Sequence, residues 1–144
     1  MDDAHEQRDL LDNVLVPVAN ETDARRTARA LAPYDPAHVT TLHVVEKGEG
    51  VPDKTPVSQS KEMAAESFAA VNEVFPDADD HTAYGRNVVN SILDAADEID
   101  ASAIAYRARE GGRLVMFLSG DLSLKLVTQA DRPVIALPRE TGDD

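Results

Sequence analysis

The chain of 144 residues contains no cysteine and no tryptophan. The first absence excludes disulfides, thiolate metal sites and cysteine nucleophiles together. Aromatic residues amount to only 4%, three Tyr and three Phe, so the core must be built from Val, Leu, Ile and Ala. No apolar run approaches the ~18 residues of a membrane span. The leading residues Met1 to Asp9 are charged and lack the apolar centre of a signal peptide. These absences lead to the expectation of a soluble, cytoplasmic chain. Basic charge is also scarce: 14 Lys and Arg stand against 27 Asp and Glu, a net charge of −13. Such a surface repels nucleic acid and anionic membrane, and neither is expected as a partner. Asp outnumbers Glu 17 to 10 and Arg outnumbers Lys 10 to 4. That balance suits either an ordinary solvated acidic surface or adaptation to a salt-rich cytoplasm.

What is present, at 42% hydrophobic residues, is enough for one domain with a sizeable core. Residues 1–12 form a polar lead-in, 13–138 the domain and 139–144 a polar tail. Short apolar runs suited to buried strands occur at Asn13 to Val18, His38 to Val45 and Ser102 to Tyr106, with a weaker one at His81 to Tyr84 and a last at Pro133 to Leu137. Helical spacing appears between them. Ala24, Ala28 and Leu31 mark Glu21 to Leu31, and Ala64, Phe68, Val71 and Phe75 mark Lys61 to Val74. Val88, Val89, Ile92, Leu93, Ala96 and Ile99 form the clearest stripe, and Asp121 to Ala130 is the last helix. Lys47 to Ser60 reads as a loop, Pro76 to Asp80 as a turn and Arg107 to Gly120 as a glycine-bearing loop. Alternating strands and helices predict an α/β fold: an open, doubly wound, five-stranded parallel sheet with helices on both faces. Ligands of such sheets bind outside the C-terminal ends of the strands, where the strand order reverses.

The series Val14-Leu-Val-Pro-Val18, Leu42-His-Val-Val45, Gly85, Asp100 to Ala105, Gly120 and Arg132-Pro-Val-Ile-Ala-Leu137 resembles, in order and spacing, the universal stress protein family. The resemblance runs from Asn13 to Pro138. It implies a fold akin to the adenine nucleotide α-hydrolases. It also implies one of two conditions, because some members of the family bind ATP and others do not. Binders resemble Gly-x2-Gly-x9-Gly-Ser/Thr. Anchored on Gly120, that pattern places its first two glycines at Arg107 and Glu110 and its Ser/Thr at Asp121. The Asp that binders carry after the first strand is replaced by Ala19-Asn20-Glu21.

Physical reasoning points the same way. A glycine beside a phosphate lets a backbone N–H approach closely; Arg107 and Glu110 bring side chains instead. Asp121 falls in the first turn of a helix, where it either caps the helix or repels an anion. Two like charges about 4 Å apart cost about 4 kcal/mol at an effective dielectric near 20, roughly a thousandfold in affinity. Arg107, Arg109 and Arg113 nevertheless cluster beside Gly111-Gly112. They either pair with surface carboxylates or hold a phosphate in a shifted register. The candidate pocket is therefore Val18, Arg107, Arg109, Gly111, Gly112, Arg113 and Gly120. No cofactor is expected on the first alternative, and ATP or AMP with Mg on the second.

His5, His38, His43 and His81 are scattered without metal-ligand spacing, and no metal site is expected. His43 lies inside a strand and reads as structural. Asp77, Asp79 and Asp80 crowd one turn, either solvated or as a weak cation site. No catalytic constellation is found, and the chain is not expected to be an enzyme. The family commonly dimerises through its last strand, which the resemblance places at the sheet edge. That implies a homodimer with Val134, Ile135 and Leu137 at the interface, limited in length by Pro133 and Pro138. The functional expectation is a stress-response or regulatory module acting through its dimer surface on a protein partner. The alternative is a sensor of an adenine nucleotide or other anion through the loop from Arg107 to Gly120.

Overall fold

Five residues with no charge among them, Val14–Val18, form strand β1, and all five are buried. A strand apolar on both faces belongs in the middle of a covered parallel sheet, and β1 is the middle strand. The computed structural model describes residues 9–46, 57–107 and 120–138. Its elements in order are β1, α1 (Glu21–Leu31), a short 3-10 turn (Ala32–Tyr34), β2 (Val39–Glu46), α2 (Val57–Val74), β3 (Asp79–Gly85), α3 (Val88–Ile99), β4 (Ala103–Arg107), α4 (Gly120–Gln129) and β5 (Val134–Leu137). The strands form one sheet in the order β3-β2-β1-β4-β5, every neighbouring pair parallel.

The alternation of side chains along each strand divides the core in two. Val14, Val16 and Val18 pack with Ala24, Ala28 and Leu31 of α1 and Ala70 and Val71 of α2. Leu15, Leu42, Ile104 and Tyr106 pack on the other face with Val88, Val89 and Ile92 of α3 and Leu126 of α4. The doubly wound fold read from the sequence is thus the observed one. The expected α3 stripe is also observed: Val88, Val89, Ile92 and Ala96 are buried, while Leu93 and Ile99 are partly buried against the same cluster.

Several boundaries differ from expectation, and three of them have a physical reason. Helix α2 begins at Val57, four residues before Lys61; residues 57–60 hold no helix breaker and follow Pro56, which a first helical turn accepts. Strand β3 begins at Asp79, inside the expected turn, because Asp79 and Asp80 pair with Thr40 and Thr41 of β2. Pairing to a neighbour overrides the low strand preference of Asp. Strand β4 runs through Arg107, one residue further than its apolar pattern. The 3-10 turn has no hydrophobic period and is not visible in the sequence.

Candidate functional site

The strand order reverses between β1 and β4: from β1 the chain moves outward through β2 to β3, then returns to the other side of β1. The crevice of the sheet lies at the C-terminal ends of these two strands. Pro17 opens it. The N–H of Val14 donates to His38 O at 2.9 Å, so Val14, Val16 and Val18 direct their backbone groups toward β2. Leu15 and Pro17 therefore face β4, and proline has no N–H to give. The paired register of β1 with β4 accordingly covers only Val14 opposite Ala103 and Leu15 opposite Ile104. Beyond Leu15 the two strands have lost the bond that would hold them together.

One row of side chains crosses the sheet at this end, on the face covered by α1 and α2. Thr82 lies opposite His43, and His43 opposite Val18. Arg107 lies opposite Leu137. The β1–β4 stagger carried forward sets Arg107 beside Val18, across the opening that Pro17 leaves. Arg107 is only 7% exposed. Arg107 is not without a partner, although its Nε is buried with no hydrogen bond, and it does not project into solvent as a loop arginine would. His43 is 6% exposed, and its Nδ1 is buried without a hydrogen-bond partner. Burial alone pushes the imidazole pKa below its usual value. A neutral structural histidine, as read from the sequence, fits that environment.

Above this row, the N-terminus of α1 is closed by its own residues. Asn20 is the N-cap, its Oδ1 accepting the N–H of Asp23 at 2.8 Å. Asp23 in turn accepts the N–H of Ala19 through Oδ2 at 2.8 Å. The arrangement is a variant of the capping box, in which the N3 side chain, here Asp23, reaches the N–H of the residue before the N-cap and not that of the N-cap itself. Asp23 is 4% exposed; it and Arg107 are the buried Asp, Glu, Lys or Arg residues among the described residues. The sequence reading did not single out Asp23. The spacing Asn20-x-x-Asp23 ahead of a helical stripe was the signal available.

Gly120 is the first residue of α4, so the helix starts one residue before Asp121 and ends at Gln129, one before Ala130. Arg109, Gly111, Gly112 and Arg113 lie outside the described residues. The sequence candidates that the structure brings together are thus Val18 and Arg107. No group of three His, Asp or Glu side chains among the described residues is arranged for a metal ion. His38 Nε2 meets Asp79 Oδ2 at 2.9 Å, and His81 Nε2 meets Glu98 Oε1 at 3.2 Å. Partial burial, and then the neighbouring Asp79, raise the carboxyl pKa of Asp80.

Strand β5 is an edge of the sheet, as its resemblance implied. Its side chains point largely into its own subunit. Leu137 is 3% exposed within the α1-side core, Ile135 packs partly against the same cluster, and Val134 packs partly against the α3-side one. Ala136 is the exposed residue of the strand. What β5 offers a partner is therefore its backbone edge and Ala136 more than Leu137.

The model of the universal stress protein family matches residues 11–138. A universal stress protein from Archaeoglobus fulgidus shares the fold with a TM-score of 0.67 at 21% identity, covering 88% of this chain and 98% of that one. A structure of the universal stress protein from Archaeoglobus fulgidus in complex with dAMP gives 0.64 at 20% identity, covering 89% and 98%. A universal stress protein family protein from Arabidopsis thaliana with AMP bound gives 0.51 at 15%, covering 91% and 94%. At these identities the likeness is one of fold. No curated protein matches the chain. No helix among the described residues is long and apolar enough to cross a membrane. With the family model spanning nearly the whole sheet, from the residues before β1 to the end of β5, the chain belongs to the universal stress protein family.

Proposed function

We propose that the chain is a non-enzymatic stress-response and regulatory module of the cytoplasm that works as a homodimer through β5 and does not use ATP. The observation that carries this reading is Arg107. It occupies the place of the first glycine in the nucleotide-binding pattern, and it ends β4 as a buried side chain beside Val18. A phosphate held there needs backbone N–H groups within reach, and an arginine side chain fills the space that a glycine leaves open. At the other helix terminus of the crevice, Asn20 takes up the N–H of Asp23, and the Asp23 carboxylate adds a negative charge beside it. Asp121, early in α4, takes the position of the Ser/Thr in the pattern and adds a negative charge. The acidic surface, at −13, supports adaptation to concentrated salt, where carboxylates retain their hydration.

A second reading, a sensor of an adenine nucleotide or another anion, is favoured by the same guanidinium. It is a buried positive charge at the switch point, and solved structures of the same fold contain dAMP and AMP. Calorimetric titration with Mg-ATP and with AMP, in concentrated potassium chloride, separates the two readings. The first predicts no binding heat at millimolar nucleotide. Micromolar binding would replace it with the second, and loss of that binding in Arg107→Ala would locate the site.

A further inference from the structure

The sheet has a second edge, β3, and it is the longer of the two. Strand β5 spans four residues between Pro133 and Pro138, whereas β3 spans seven, Asp79–Gly85, without a proline. The direction of its backbone groups follows from the hydrogen bond of Val14 to His38. That bond turns the even-numbered residues of β2 toward β1 and the odd-numbered ones toward β3. With Thr41 opposite Asp80, the odd-numbered residues of β3 bond to β2. Asp80, Thr82 and Tyr84 thus direct N–H and C=O outward, and all three are exposed. Their side chains share the α2 face. There Thr82 and Tyr84 line a groove of about 250 Å³ with Val45, Ala64, Phe68 and Lys61.

We infer that a second copy of this chain docks on β3, antiparallel and centred on Thr82, joining two sheets into one of ten strands. Thr82 then faces Thr82 of the second copy, and Asp80 faces Tyr84 of the second copy. All three outward residues form doubly bonded pairs, the close match an antiparallel ladder needs. The charge pattern selects this partner and this direction. The acidic end of the strand (Asp77, Asp79, Asp80) meets the end beside the groove that Lys61 lines, whereas a parallel copy would align acid with acid. Directly opposed residues point to the same face, so Asp80 of the second copy stands over the groove that Lys61 lines. The two-fold axis makes the contact twice. In the single chain burial, and then the neighbouring Asp79, disfavour the charge of Asp80, and Lys61 of the second copy would supply the opposite sign. This inference is independent of whether β5 pairs and of whether nucleotide binds.

The absence of cysteine makes single-cysteine variants a direct test. Directly opposed residues in an antiparallel pair have Cα atoms about 5.5 Å apart, within disulfide reach. Under mild oxidation in concentrated potassium chloride, Thr82→Cys should form a covalent dimer. Tyr84→Cys alone should stay uncrosslinked, and an equal mixture of Asp80→Cys with Tyr84→Cys should crosslink. By light scattering, Lys61→Glu should weaken the β3 association roughly tenfold, while leaving the unfolding midpoint unchanged at protein concentrations dilute enough for the monomer. No crosslink in Thr82→Cys, with its native circular dichroism intact, overturns the proposal. So does equal crosslinking of Thr82→Cys and Tyr84→Cys, which marks random collision. Ala136→Cys is the β5 control: crosslinking there but not at Thr82 leaves the β5 dimer standing and removes this one. The reverse result removes the β5 dimer alone.

Discussion

Replacing His43 by leucine tests whether the residue at the centre of the buried row is a neutral structural histidine. Its folded pKa lies below the ordinary value of 6.5 because burial disfavours the imidazolium. The unfolded chain therefore binds the proton more readily, and stability falls as pH drops through and below 6.5. The slope reaches at most about 1.4 kcal/mol per pH unit. Integrated from about pH 6.5 to 5.5, one such group removes about 1 kcal/mol, provided it stays neutral in the folded state. Leucine has a similar volume and leaves no unpaired Nδ1. Its cost at neutral pH should be small, since the native nitrogen has no partner to lose. The assay is urea unfolding of both proteins at about pH 7.5, 6.5 and 5.5 in constant salt. Asp80, with its carboxyl pKa raised, acts in the opposite sense. Its effect cancels in the difference between the two proteins. The variant should lose less stability than the native chain over the acid step, by at most about 1 kcal/mol. Parallel curves would refute the buried neutral imidazole. A loss above about 2 kcal/mol at pH 7.5 would show that His43 has a bonding partner in the native protein.

Two further outcomes follow from the backbone. Ile104 donates its N–H to Pro133 O at 3.0 Å, which turns the odd-numbered residues of β5 toward β4 and Ala136 outward. Ala136→Pro therefore removes an edge donor without breaking the β4 ladder, and light scattering should show monomers in place of a β5 dimer. Ile135→Asp is a poorer probe, because Ile135 packs partly against its own core; an unchanged mass in Ala136→Pro would place any dimer elsewhere. In the crevice, Pro17→Val restores a donor facing β4. Its amide should be protected from hydrogen exchange, whereas a freely exchanging amide would mean that something other than the missing N–H holds β1 and β4 apart.

Much of the architecture was legible in one dimension. A five-residue apolar run demands burial on both faces, and the period of Val88, Val89, Ile92 and Ala96 demands a helix with one buried side. Such patterns depend only on local backbone geometry, so they identified the elements, their order and the doubly wound class. The boundaries that moved are those decided by a neighbour. Asp79 and Asp80 are poor strand formers until β2 supplies partners, and Arg107 looks like a loop residue until Leu137 lies opposite it. The site was legible in part: the sequence showed that Arg107 stands where a phosphate-binding glycine is expected. Only the tertiary structure showed that this arginine is buried in the sheet, that Pro17 unzips β1 from β4, and that Leu137 belongs to its own core. The physical reason is that hydrogen-bond direction and burial are properties of pairs of segments distant in sequence. A run of residues determines what it needs to have beside it, and only the fold decides what stands there.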